Sequence, residues 1–101
     1  MKTIQISPSI EISVHNVKDL ITFQTFITIA IDQYEKLAKG ASNIRLAAKI
    51  IDKIEQSSGK ENLSLEDTEY DAVKEAIEGA KWNPAVSRKL LPFFDAVESA
   101  K

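Results

Sequence analysis

The chain contains no cysteine. That absence excludes disulfides, thiolate metal sites and cysteine nucleophiles. Its one histidine, His15, has no second imidazole with which to converge on a metal, and structural or catalytic sites need several ligands. His15 reads instead as a turn residue between a strand and a helix. The three glycines, Gly40, Gly59 and Gly79, stand apart, so no glycine-rich phosphate loop is present. No serine sits in a nucleophile elbow. Long apolar runs are missing too. The longest stretch without charge, Leu20 to Ile31, holds twelve residues and includes Gln24 and three threonines, whereas a bilayer span takes about 20 apolar residues. The opening MKTIQISPSIEI lacks the apolar block of a secretory signal. These features predict a cytoplasmic protein without cofactor or metal, not an enzyme.

What is present fits a single domain over residues 1–101, with 44% hydrophobic and 28% charged residues, ordinary proportions for a globular fold. The net charge of −2 conceals a division. Residues 36–60 carry a charge of +4, and residues 61–80 carry −6. Complementarity between neighbouring helices is the simplest account. Asp67, Asp71, Glu75 and Glu78 follow one side of a helix, as a solvated face does, and its acidic first turn suits the helix dipole.

Residues 1–15 alternate. Ile4 and Ile6, then Ile10, Ile12 and Val14, are separated by polar residues, the period-two pattern of a strand. Ser7-Pro8-Ser9 marks either a hairpin turn or an edge strand, because proline cannot donate to a ladder. Residues 16–101 read as about four helices. The first is predicted from Val17 to Lys39, capped by Asn16 with Asp19 in its first turn, stopping at Gly40. Leu20, Phe23, Phe26, Ile27, Ala30, Tyr34 and Leu37 form its main face. A rival reading makes its first half a strand, since Ile21, Phe23, Ile27, Ile29 and Ile31 sit at odd positions. The second helix is predicted from Asn43 to Ser57, capped by Ser42 and closed near Gly59, with Ile44, Ala47, Ala48, Ile51 and Ile54 inward. The third is capped by Ser64, with Leu65, Ala72, Val73, Ala76, Ile77 and Ala80 inward. The last opens at Asn83-Pro84 and is kinked at Pro92, with Val86, Leu90, Phe93, Phe94 and Val97 on one face. The expected class is α+β, predominantly helical, with one or two short N-terminal strands.

Projected as a helix, the uncharged run places Ile21, Thr25, Thr28 and Ile29 opposite the core face. An ordinary surface helix carries lysine and glutamate there, and threonine and isoleucine are mediocre helix formers. Burial on both sides follows, under the N-terminal strands or under another subunit. These four residues are the candidate protein interface, and a homo-oligomer is expected. The alternative is a small nucleic-acid-binding module using the basic stripe of the second helix, Arg45, Lys49 and Lys53, spaced by four as phosphate contacts require. No aromatic residue lies between residues 35 and 69, so the stacking platforms of single-strand readers are missing. Trp82, Phe93 and Phe94 read as core.

The back third, from Glu61 to Ala100, resembles small accessory proteins encoded by phages and prophages. The likeness rests on Leu65-Glu66-Asp67 opening a helix, Trp82 after it, and a closing apolar helix with Phe93 and Ala96. It implies a non-enzymatic protein that assembles with itself, with virion components or with a host factor, and a virion-associated location if so.

Overall fold

The computed structural model describes residues 1–14 and 17–101. The expected turn residue His15 and cap Asn16 lie outside the described residues. The architecture is α+β and mainly helical, with short strands leading into helices. In order, these are β1 (Lys2–Gln5), β2 (Ile10–Val14), β3 (Val17–Ile21), α1 (Phe23–Gln33), α2 (Ala41–Gln56), β4 (Asn62–Leu65), α3 (Asp67–Gly79), α4 (Pro84–Ser87) and α5 (Leu91–Glu98). Short 3-10 turns cover Glu35–Ala38 and Arg88–Leu90.

The strands form two antiparallel pairs, β1 with β4 and β2 with β3. Ile4 faces Leu63 in the first and Ile12 faces Asp19 in the second. The Ser7-Pro8-Ser9 segment therefore does not fold β1 onto β2. The partner of β1 is instead Asn-Leu-Ser-Leu at residues 62–65, whose alternation buries Leu63 and Leu65. On its other edge, Thr3 exchanges both main-chain bonds with Lys101, at 2.9 and 3.1 Å. Ser64, expected to cap the third helix, lies within β4 beside Thr3. Glu66 takes the cap position, and the Glu69 carboxylate accepts the Glu66 N–H at 2.8 Å.

The first predicted helix is divided. Its first turn belongs to β3, so Asp19 and Leu20 are strand residues, and Leu20 is exposed rather than core. Thr22 is the actual cap, since its hydroxyl accepts the Thr25 N–H at 3.1 Å. At the other end the helix stops at Gln33. The Gln33 side chain accepts the Lys81 N–H at 3.0 Å, and the Tyr34 hydroxyl donates to Glu75 of α3. Leu37 is buried as expected, but from a 3-10 turn. Gly40, expected to close that helix, instead starts α2, with φ at 84°. Helix α2 thus begins one residue before Ser42. Its inward stripe is Leu46, Ala47, Ile50, Ile51 and Ile54, while Ile44 and Ala48 are exposed. Adjacent Ile50 and Ile51 made the face ambiguous by one residue of rotation. In α3, Ala72, Val73, Ala76 and Ile77 are buried. The last helical stretch runs in pieces, α4, a 3-10 turn and α5, with Pro92 in the first turn of α5. A missing N–H costs nothing there.

The core centres on Phe26. Its ring stacks on Trp82 at 5.0 Å and meets Phe93 at 5.1 Å, Phe94 at 5.2 Å and Phe23 at 6.3 Å. Tyr70 ties α3 to α5 by donating to the Val97 carbonyl at 2.7 Å.

Glu75 holds the Tyr34 hydroxyl as a hydrogen-bond donor, which raises its pKa above 10.0, with burial and the Glu75 charge adding to the effect. The folded chain therefore keeps this proton more tightly than the unfolded chain. The associated stability is complete below about pH 10 and falls as pH rises through the folded value. Urea midpoints measured through the alkaline range should drop less steeply for Tyr34→Phe than for the native chain.

Candidate interaction surface

The β2–β3 hairpin has one covered face and one open strand. On β2, Ile12 is buried and Ile10 half-buried, against the Arg88–Leu90 turn. On β3, Val17, Lys18, Asp19 and Leu20 are all exposed, and only Ile21 turns partly inward. Val17 is 65% and Leu20 64% exposed, high values for large apolar side chains. Glu11 and Lys18 approach to 3.8 Å on the solvent face, a pair of little energetic weight in water. Among the described residues, no main-chain bond from β3 goes anywhere but to β2. Its outer edge thus presents unpaired N–H and C=O groups, the template for another strand. An isolated two-stranded hairpin is marginal in water.

The four interface candidates on the uncharged run are separated. Ile21 lies on β3 and packs against the core cluster. Thr25 and Ile29 share the outer side of α1, where Thr25 is exposed and Ile29 is 36% exposed. The chain's own strands do not cover them. Thr28 is half-buried and donates its hydroxyl to the Gln24 carbonyl at 2.8 Å, while the Thr25 hydroxyl accepts from Thr22 at 2.9 Å. Local capping and back-bonding therefore account for both threonines. Val17 and Leu20 were missed as surface residues. Their signal was the pairing of two β-branched segments across two residues, hidden by the helical continuation after Thr22.

The basic stripe is divided as well. Lys53 reaches Glu69 at 2.5 Å, where the carboxylate is nearly enclosed and the lysine about one-third exposed. Lys36 lies 3.9 Å from Glu75. Two ion pairs thus join the basic and acidic segments. Arg45 and Lys49 are exposed and form no ion pair among the described residues.

Several clefts open on the surface of the described residues. A groove of about 510 Å³ runs beside β1 between Gln5 and Asp95, Ala96 and Ser99 of the C-terminal segment. A cleft of about 400 Å³ between α1 and α2 is lined by Ile31, Leu37, Ala47 and Ile51, with Asp32 and Asp52 also at its wall. Among the described residues, no group of three histidine, aspartate or glutamate side chains converges as metal ligands, and no helix is long and apolar enough to cross a membrane. No protein-family model matches the chain, and no curated protein or solved structure is significantly similar to it.

Proposed function

We propose that this chain is a non-enzymatic, self-associating interaction protein that serves as an accessory or assembly factor. One observation carries the reading, the open edge of β3 with Val17 and Leu20 exposed beside it. Val17 and Leu20 lie on opposite faces of the strand, and fully covering either one is worth about 1.5–3 kcal/mol. Lys18 and Asp19 on the same strand are the kind of charge that limits indiscriminate edge pairing, so a partner must accommodate both.

Light scattering across concentrations tests the reading. The mass is expected to rise from one chain toward a discrete multiple, and Leu20→Lys is expected to reverse the rise without changing the circular dichroism. A strictly monomeric mass at about 1 mM, a concentration that populates even weak complexes, would remove self-association. Thr25→Lys and Ile29→Lys report on the outer face of α1. If they split the assembly and Leu20→Lys does not, the helix rather than the hairpin is the contact.

A further inference from the structure

We propose that the outer face of α2 is a second contact surface, occupied by the same face of a second copy run antiparallel about a two-fold axis between Ala48 and Lys49. This contact shares with the reading above only self-association. The surface is a different one. α2 packs on α1 and β4, while the β2–β3 hairpin packs on the Arg88–Leu90 turn.

α2 buries Ile50 and Ile54 and exposes its other side. There Ile44 is 53% exposed, and Ala48 is exposed one turn further on, so the two share a stripe. The charges beside that stripe are segregated. Arg45 and Lys49 come in the first half of the helix, Asp52 and Glu55 in the second, and all four are exposed. Among the described residues none of the four is in an ion pair. A helix alone favours the reverse order, acid first and base last. The start of α2 has no side-chain cap and no acidic residue in its first turn.

An antiparallel copy satisfies each of these features. The axis sets Arg45 level with Asp52 of the second copy and, by symmetry, Asp52 level with its Arg45. Glu55 arrives level with Ser42, at the bare N-terminus of the second α2, where a carboxylate is favoured. Ile44 descends into the hollow between Ile51, Asp52 and Glu55. Ile51 and Asp52 also line the α1–α2 cleft of about 400 Å³, so the hollow is open to receive a side chain. Ala48, beside the axis, is small enough for the two helices to approach closely. Lys49 lies about a third of a turn from the Ile44–Ala48 stripe and stays in water.

These matches select the occupant. A parallel copy would set Arg45 on Arg45 and Asp52 on Asp52. A foreign helix would have to bring a carboxylate level with Arg45, a cation level with Asp52, a bare N-terminus for Glu55 and an apolar side chain for the hollow. The second copy supplies all four from one surface, and every match occurs twice. A single pair of 16-residue helices, each about 24 Å long, buries less than about 1,200 Å², the size of transient complexes. The dimer is therefore weak and is sought at high concentration.

Charge reversal tests the contact. Arg45→Glu and Asp52→Lys are made singly, their folding is checked by circular dichroism, and dimerisation is followed by sedimentation equilibrium up to about 1 mM. Each variant alone is expected to dimerise about tenfold more weakly than the native chain, because two attractive pairs become two repulsive ones. An equimolar mixture of the two variants is expected to recover the native affinity, since opposite charges then meet at both positions. Single variants that dimerise like the native chain overturn the α2 contact. If Leu20→Lys then gives monomers, the β3 reading stands without it. Weakened single variants whose mixture is no tighter overturn the antiparallel register and the proposal with it. A native chain that stays monomeric at about 1 mM removes this proposal together with the reading above.

Discussion

Phe26→Ala is expected to cost about 3–5 kcal/mol of folding free energy, the range for truncating a fully buried aromatic side chain. Phe26 is completely buried and touches four other rings, those of Phe23, Trp82, Phe93 and Phe94. These rings come from α1, from the segment after α3 and from α5. The cavity would open where three parts of the chain meet, and no single element can shift to fill it. A domain of this size is stable by about 5–15 kcal/mol in total, so the variant would sit near its unfolding threshold. Trp82 is the only tryptophan and stacks on Phe26 at 5.0 Å. Its fluorescence therefore reports both the local change and global unfolding. With a urea slope of about 1–3 kcal/mol/M, the midpoint should fall by more than 1 M. A drop below 0.3 M would mean that the aromatic cluster is not the centre of the core.

Lys53→Met is expected to cost about 2–3 kcal/mol. Glu69 is 3% exposed and holds two partners, the Lys53 ammonium at 2.5 Å and the Glu66 N–H at 2.8 Å. Removing the lysine leaves an enclosed carboxylate with one neutral donor. Breaking a fully buried pair this way costs about 3–5 kcal/mol. The lysine head is about one-third exposed, and solvent screening lowers the figure. The second half of the cycle decides the mechanism. Glu69→Gln keeps an oxygen for the Glu66 N–H but carries no charge. The double variant, Lys53→Met with Glu69→Gln, should therefore be more stable than Lys53→Met alone. Urea midpoints for the four chains give the coupling. If the double variant is instead the least stable of the four, packing of the lysine stem and not the stranded charge explains the loss.

The helical half of the fold was legible because its signals are local. The Ala72, Val73, Ala76, Ile77 stripe repeats at three and four residues, and all four are buried. The β half depended on distant partners. Residues 62–65 look like a cap followed by a helix start, and only β1, about 60 positions earlier, makes them a strand. The boundary at Thr22 was obscured for a different reason. Val17 to Ile31 is apolar enough to satisfy both periods, and the capping threonine lies in the middle of it. The candidate surface moved with that boundary. Thr25 and Thr28 look like an unexplained neutral face in the sequence because their hydroxyl partners, Thr22 and the Gln24 carbonyl, are local to the start of α1. Leu20, read as core, is the exposed residue.

The two strand pairs differ in how much chain must be gathered to make them. β2 and β3 are adjacent in sequence, so their hairpin can form within microseconds. β1 waits for residues 62–65 and for Lys101, and such distant closures come late. Between those events a partly folded chain already displays the β3 edge, while Ile10 and Ile12 still await the segment at Arg88–Leu90 that packs beneath them. Pairing through that edge at that stage would join chains whose apolar faces are still uncovered. The rate at which the C-terminal quarter docks is therefore expected to set how much chain is lost to aggregation, most visibly on slow refolding at high concentration.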